Sequence, residues 1–544
     1  MKIALAQINQ IIGDFEGNFR RIETALVRAE DQGADLVVFP ETAASGPFPG
    51  DFLGYDGFVR DNLELLDRLT ARTTRTGILI GYVRPCPHSA KLENAAALIA
   101  EGEILSTHVK TRLSVHGAFD EFRYFEPGDA IKPVEFCGVN LAVTLCEDIC
   151  RPDFPGNRRG ADPTDPTADA VARGAEIIVN LAASPFTFDT RVERRRALRE
   201  CAARHQRPLV FVNHVGGHDE WVFDGQSLAL DAEGNLIACA DSFVEDFLIV
   251  DVEAKTDPIV EEEETESESV VRALMLGTRD AVQKQGQGAV LVELNESVNA
   301  SVTAAVAAAA LGANRVRAVR FPGTDSSGEI AVNPDELAAC IGISPMVTDA
   351  GLMRRLFEAM SALDDENGAA FDILENRQTA VKQMILRSVA DAEGLMLFGS
   401  DDKTDLYLYG PSLPAADFCM LSDLPKSLVL RTARHLGAMG IPAFRGLPID
   451  VSTASVRLSS AGGVSPVSLE TVDLILDHCL VQRFDTDTVI ALGFDAALTE
   501  QIVQSVHQTE ARRRRAPPGL NITTRGFGYY PCLPISHGWK SVGR

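Results

Sequence analysis

The chain has 544 residues, 45% of them hydrophobic and 24% charged, and its formal net charge is −26. That length exceeds what one hydrophobic core organises, so two or three domains are expected. The acidity argues against nucleic acid and anionic membrane as partners, because both are polyanions. Ten cysteines without a CxxC pair point to neither a zinc site nor a disulfide framework. No apolar run reaches the length of a membrane span, and the first residues enter a strand pattern with no signal-peptide architecture. A reducing cytoplasm is the expected compartment. The basic runs Arg194–Arg196 and Arg512–Arg515 are expected to be solvated helix faces or anion contacts.

In chain order, Lys2–Ile8 reads as an apolar strand and Asn18–Gln32 as a helix, with apolar spacing through Ile22, Ala25, Leu26 and Ala29. Ala34–Phe39 is an apolar strand that ends at Pro40-Glu41. A helix over Asp61–Thr74, a strand over Gly77–Val83 and an antiparallel pair, Asn94–Ala100 with Gly102–Val109, follow. The β-branched run Asn140–Leu145 is a buried strand that stops at Cys146, Glu147 and Asp148. Next come strand Ala175–Asn180, a basic helix over Thr190–His205, and strands Pro208–Asn213, Ser227–Ala232, Leu236–Ala240 and Asp246–Val252. This alternation, with antiparallel additions, predicts an α/β layered sandwich over residues 1–253.

An acidic stretch containing Glu261–Glu264, Glu266 and Glu268 cannot bury itself, and predicts a solvated linker over 254–268. Helix Val270–Gln285, strand Ala289–Leu294, an alanine-rich helix Ser301–Leu311 and strand Arg315–Arg320 then form a unit of a doubly wound, Rossmann-like sheet. Helices Asp349–Leu363 and Thr379–Glu393 and strand Leu395–Phe398 extend it within a second domain, 269–544.

A thiol at the carboxyl end of a strand in an α/β layer lies where ligands usually sit, although a lone cysteine is equally a small core residue. Thiol-dependent amide hydrolysis also needs a base and a cation or backbone donors for the oxyanion. Glu41 and Lys110 each follow a strand and could supply them. Residues 1–252 resemble the nitrilase, or carbon–nitrogen hydrolase, superfamily. The resemblance is carried by FPE (39–41), KTRL…GAFDEFRYFEPG (110–128), LCED (145–148) and NLAASPF (180–186). It implies an α-β-β-α sandwich in which Glu41 is general base, Lys110 stabilises the oxyanion, Cys146 forms a thioester and Glu121 is a second catalytic glutamate. The backbone N–H of Glu147 would complete the oxyanion hole.

VNHVGGHDEWVFDGQS (212–227) is similar, more narrowly, to the glutaminase domain of the glutamine-dependent NAD synthetase family. That likeness implies substrate contacts from Glu147 and Ser184; the plain reading of Ser184 is a helix cap or turn hydroxyl. Gly46-Pro47-Phe48-Pro49, Leu113-Ser114-Val115-His116 and Cys150 depart from the family pattern, and two pocket tyrosines are absent.

Residues 270–544 resemble the synthetase domain of the same family through 270–286, 422–437 and 512–528. The resemblance implies an SGGxDS loop whose backbone cradles the pyrophosphate of ATP. Here the loop reads Asn295-Glu296-Ser297-Val298-Asn299-Ala300, with both glycines gone and asparagine for aspartate. The expectation is therefore an amidase that releases ammonia from a small carboxamide such as glutamine, needs no cofactor or resident metal, and is fused to a domain that no longer makes NAD. The alternatives are a functional synthetase using ATP and magnesium, and a non-catalytic scaffold. The resemblance further implies a homo-oligomer through the first domains; the ammonia acceptor is unassigned.

Overall fold

The computed structural model describes residues 1–114, 120–149, 165–254, 257–260, 264–322, 331–349, five positions in 351–359, and 371–445, 447, 455–460, 463–528 and 532–539. The departures at Val115, His116 and Cys150 and the acidic positions 261–263 lie outside the described residues. The chain divides into two compact units, Met1–His218 with Val222–Glu263, and Glu264–Arg544 with Asp219–Trp221.

The first unit contains β1 (Lys2–Gln7), α1 (Phe15–Asp31), β2 (Leu36–Val38), α2 (Asp56–Arg72), β3 (Gly77–Pro85), β4 (Leu92–Ala100) and β5 (Glu103–Val109). It continues with β6 (Val134–Phe136), β7 (Val139–Leu145), α3 (Pro166–Ala172), β8 (Ile177–Ala182), α4 (Phe188–His205) and β9 (Leu209–Asn213). The hairpin β10 (Val215–His218) and β11 (Trp221–Asp224) follows, then β12 (Leu228–Leu230), β13 (Leu236–Cys239) and β14 (Asp246–Asp251). Two six-stranded sheets result, ordered β14-β1-β2-β3-β4-β5 and β13-β12-β9-β8-β7-β6.

Side chains alternate across each strand, and this parity builds the layers. Leu5, Leu36, Val38 and Leu79 from one sheet meet Leu141, Val143, Val179 and Val210 from the other in a common core. The opposite parity, Ala4, Val37, Ile78 and Ile80, packs on Ile22 and Leu26 of α1 and Leu65 and Leu69 of α2. Ile178 and Phe211 pack likewise on Leu198, Cys201 and Ala202 of α4. The expected α-β-β-α sandwich is what forms. Within each sheet β1, β2 and β3, or β7, β8 and β9, run parallel. Glu41, Cys146 and Ser184 therefore leave the carboxyl ends of β2, β7 and β8, beside Lys110 at the end of β5.

The second unit has α5 (Glu266–Lys284), β15 (Val290–Glu293), α6 (Val298–Leu311), β16 (Val316–Arg320), α7 (Pro334–Ile341), β17 (Met346–Val347), α8 (Phe371–Glu393) and β18 (Met396–Leu397). Then come α9 (Lys403–Leu408) and α10 (Lys426–Ala438). Its sheet, β17-β16-β15-β18, is wholly parallel, as a doubly wound unit requires. Two boundaries differ from expectation. Thr265 caps α5 by accepting Glu268 N–H, so Glu266 and Glu268 belong to the helix's first turn, where acids suit the dipole, and the linker is shorter. Ser297 caps α6 in the same way, so that helix starts three residues early, inside the altered loop. No described helix is long and apolar enough to cross a membrane.

Candidate active site

Cys146 follows the last residue of β7 with φ at +39°, a left-handed conformation that a non-glycine residue adopts at a cost. A single helical turn, Cys146–Ile149, carries the chain away. Asp148 holds this elbow. Its buried carboxylate accepts Leu145 N–H at 2.9 Å, Thr111 N–H at 3.0 Å, Thr111 Oγ1 at 2.6 Å and Arg112 N–H at 2.9 Å. One side chain thus ties the cysteine turn to the segment that follows Lys110. Asn180 Nδ2 donates to the Cys146 carbonyl at 3.3 Å from β8.

Lys110 is 2% exposed and lies among three carboxylates. Its Nζ is 2.9 Å from Glu41 Oε1, 2.9 Å from Glu121 Oε2 and 2.7 Å from Glu147 Oε2. Asn94 Nδ2 donates to Glu41 Oε1 at 2.7 Å and to Glu121 Oε1 at 3.1 Å, bridging the two acids. Ala183 N–H donates to Glu41 Oε2 at 3.0 Å, and Ser114 N–H to Glu121 Oε2 at 2.5 Å.

Titration follows from this packing. Burial pushes the Glu41 carboxyl up, against the opposing pull of Lys110, and pushes Glu121 up to about 7. Glu147 goes the other way: burial raises it, but Lys110 and a hydrogen bond from the Cys146 thiol outweigh that and leave it low. Burial opposes the Lys110 ammonium, yet Glu121, Glu147 and Glu41 hold it well above its ordinary value. Near neutrality the arrangement holds a lysinium, an ionised Glu147 and a Glu121 that is close to its own titration.

All four expected catalytic residues therefore converge. Glu147, expected at the substrate, has its carboxylate 2.7 Å from Lys110 Nζ, within the same cluster. Ser184 does not cap α4, whose cap is Thr187. Asn213 clamps the Ser184 backbone on both sides, accepting its N–H at 2.9 Å and donating to its carbonyl at 3.0 Å. The Ser184 hydroxyl accepts Arg194 Nη1 at 3.3 Å. Arg194 corrects the solvated-face expectation: it is buried and forks onto Asp224 at 2.8 and 2.6 Å. The interval between Arg191 and Arg194 puts both on the inward face of α4 with Leu198 and Cys201. Charge pattern alone hides that, since the compensating acid lies thirty residues on. Asn94, Asp148, Asn213 and Arg194 were all missed as site residues; only Asp148, as an acid beside Cys146, carried a sequence signal.

In the second unit the loop 295–297 joins β15 to α6. Asn295 Oδ1 accepts Ser297 N–H at 2.9 Å, and Ser297 Oγ accepts Ala300 N–H at 3.1 Å. Asn299 Nδ2 donates to Asp402 Oδ2 at 2.9 Å and Asp405 Oδ2 at 3.2 Å. Lys426 Nζ reaches the same two oxygens at 2.7 and 2.5 Å. Burial and Asp402 push Asp405 up to about 7, against the pull of Lys426. Arg512–Arg515 close the helix Ala496–Arg513, where buried Arg513 pairs with Glu510 and covers the Tyr407 ring.

The carbon–nitrogen hydrolase family model matches residues 2–258, and the NAD synthase family model matches residues 270–516. A Thermotoga maritima protein named glutamine-dependent NAD(+) synthetase is 29% identical over 590 residues, covering 99% of both chains. A Synechocystis protein of the same name is 29% identical over 561 residues, with the same coverage. The solved glutamine-dependent NAD+ synthetase of Acinetobacter baumannii, in complex with ADP, superposes with a TM-score of 0.72 at 25% identity, covering 100% of this chain and 99% of that one.

Proposed function

With residues 2–258 belonging to the carbon–nitrogen hydrolase family and residues 270–516 to the NAD synthase family, we propose that the chain is a glutamine-dependent NAD synthetase. In this reading the first domain releases ammonia from glutamine and the second uses it with ATP to amidate a dinucleotide acid. The observation that carries the hydrolase half is the convergence of Glu41, Lys110 and Glu121 beside the strained Cys146. The likeness to full-length relatives of that name supports the ligase half, and the expectation of a silent second domain finds no support there.

Cys146 Sγ attacks the amide carbon while Glu41 takes the thiol proton, a transfer its raised pKa favours near neutrality. Lys110 Nζ and the Glu147 N–H meet the oxyanion. The C–N bond breaks as Glu41 returns the proton to the leaving nitrogen, giving ammonia and a thioester. Water, deprotonated by Glu41, then attacks the thioester carbon; the C–S bond breaks, the acid leaves and Glu41 returns the proton to the Cys146 thiolate. Ala183 N–H and Asn94 hold the base in place throughout.

One observation favours a second reading, in which only the amidase works. Glu296 stands in the phosphate loop, and Asn299 with Lys426 already satisfies Asp402 and Asp405. Magnesium carried by a nucleotide takes one or two carboxylates plus phosphate oxygens, so that aspartate pair fits in kind once Lys426 releases it.

Two measurements on the whole protein test these readings. Ammonia release from glutamine should vanish in Cys146→Ala; undiminished release would sink the hydrolase assignment. Formation of amidated dinucleotide from glutamine, ATP, magnesium and deamido-NAD supports the synthetase. Ammonia release without dinucleotide product, together with no calorimetric binding of magnesium–ATP, supports the amidase alone.

A further inference from the structure

We infer that His214 is a positioning residue for the general base, acting through the peptide bond between Glu41 and Thr42; this rests on the hydrolase reading above. β2 leaves its ladder with β3 at this point. Gly81 N–H donates to the Pro40 carbonyl at 3.2 Å, and the next carbonyl, that of Glu41, faces His214 instead. Thr42 then takes a φ of +49°, a strained left-handed value for a branched residue. Glu41 is buried, and a buried carbonyl left without a donor is costly. His214 Nε2 supplies that donor at 2.6 Å.

The peptide is fixed from two sides. A Cβ on Gly81 would sit 2.2 Å from Thr42 N and 2.6 Å from the Glu41 carbonyl carbon, so a bare backbone packs against one face. The imidazole holds the oxygen from the other side. His214 is itself fully buried, following the end of β9, and its ring meets those of Phe223 and His218 edge-on at 5.8 and 6.4 Å. Phe48, on the loop after Glu41, stacks on Phe223 at 5.8 Å. The β10–β11 hairpin therefore braces the turn that aims Glu41. Because a carbonyl can only accept, His214 carries its proton on Nε2.

A loosened turn would let the Glu41 carboxylate drift from Lys110 Nζ and Ala183 N–H, and small misplacements of a reacting group cost up to roughly 10²-fold in rate. The test uses full-length protein and ammonia release from glutamine. His214→Phe keeps a buried ring but removes the donor. Its kcat should fall by roughly 10²-fold while KM stays within about twofold. Its acid limb should move to higher pH, since losing Lys110 leaves burial of Glu41 unopposed. His214→Gln, whose amide can reach the same carbonyl, should recover most of kcat and restore the limb. Wild-type kcat and pH profile in His214→Phe, or a glutamine variant as impaired as the phenylalanine one, would overturn the inference. Should His214→Phe fail to fold, 15N NMR of histidine-labelled wild type decides, with the resonance assigned by its loss in His214→Gln. An Nε2-protonated ring supports the inference and an Nδ1-only tautomer ends it. Activity that survives Cys146→Ala would instead strike the hydrolase reading itself.

Discussion

Each domain surrounds a lysine with carboxylates, and the two clusters are put to different use. Lys110 faces Glu41, Glu121 and Glu147 next to a thiol in strained backbone, with Ala183 N–H holding the base. Lys426 faces Asp402 and Asp405 next to an asparagine that bonds to both, and the adjacent helix start is capped by its own Ser297. Both clusters hold more acid than their cation neutralises, and Glu121 in the first and Asp405 in the second are each pushed up to about 7. In the second, the lysine and the asparagine amide satisfy the same two oxygens. Buried, titratable ionic groups alone do not make a reactive centre; the first cluster has the Cys146 thiol, in strained backbone, beside its lysine.

The largest expected effect that would break this contrast is at Lys110. Replacing it with Met should cost roughly 10²–10³-fold in ammonia release, as loss of an oxyanion donor does, and should destabilise the domain by roughly 3–5 kcal/mol because its carboxylates lose their counter-ion. Wild-type turnover in that variant would reduce Lys110 to the structural status of Lys426. Next comes pH. The acid limb of ammonia release should lie above the ordinary carboxylate range, because burial raises Glu41, and a limb near 4.5 would show that Glu41 titrates as an ordinary carboxylate.

Stability should respond in the opposite sense. Glu121 binds its proton more tightly folded, at about 7, than at its ordinary 4.5, so its contribution is full below 4.5 and is lost as pH rises through 7. On the order of 1–3 kcal/mol should disappear across that window, and denaturant midpoints of Glu121→Gln should show a flatter profile. Asp405→Asn should flatten the corresponding window in the second domain. The smallest effect sharpens the contrast. Glu296→Gly removes a charge that repels a polyphosphate by about 1 kcal/mol at ~4 Å in water, so magnesium–ATP should bind about fivefold tighter by calorimetry. Unchanged affinity would place the phosphates away from this loop.

Much of this was legible in residue order. Apolar runs marked the strands of both sheets, Glu41, Lys110 and Cys146 each stood after a strand, and the motifs around them suggested one site before any contact was visible. Strand parity and strand ends are local properties that survive into the fold. The β10–β11 hairpin was not legible, because Gly216 and Gly217 interrupt the alternation. Gly216 is there for close approach: a Cβ would lie 2.1 Å from Asn9 Oδ1.

The sequence by itself determined the two-domain layout, the sandwich and which glutamates, lysine and cysteine are the catalytic candidates. Only the tertiary structure decided which charges are spent and which are available. Arg194 reads as a solvated cation until Asp224 meets it, and the Glu147 carboxylate shows no partner until Lys110 reaches it. His214 shows no role until its ring reaches the Glu41 carbonyl. Those assignments depend on burial and on partners distant in sequence, and a buried charge or carbonyl takes its meaning from the group that pairs with it.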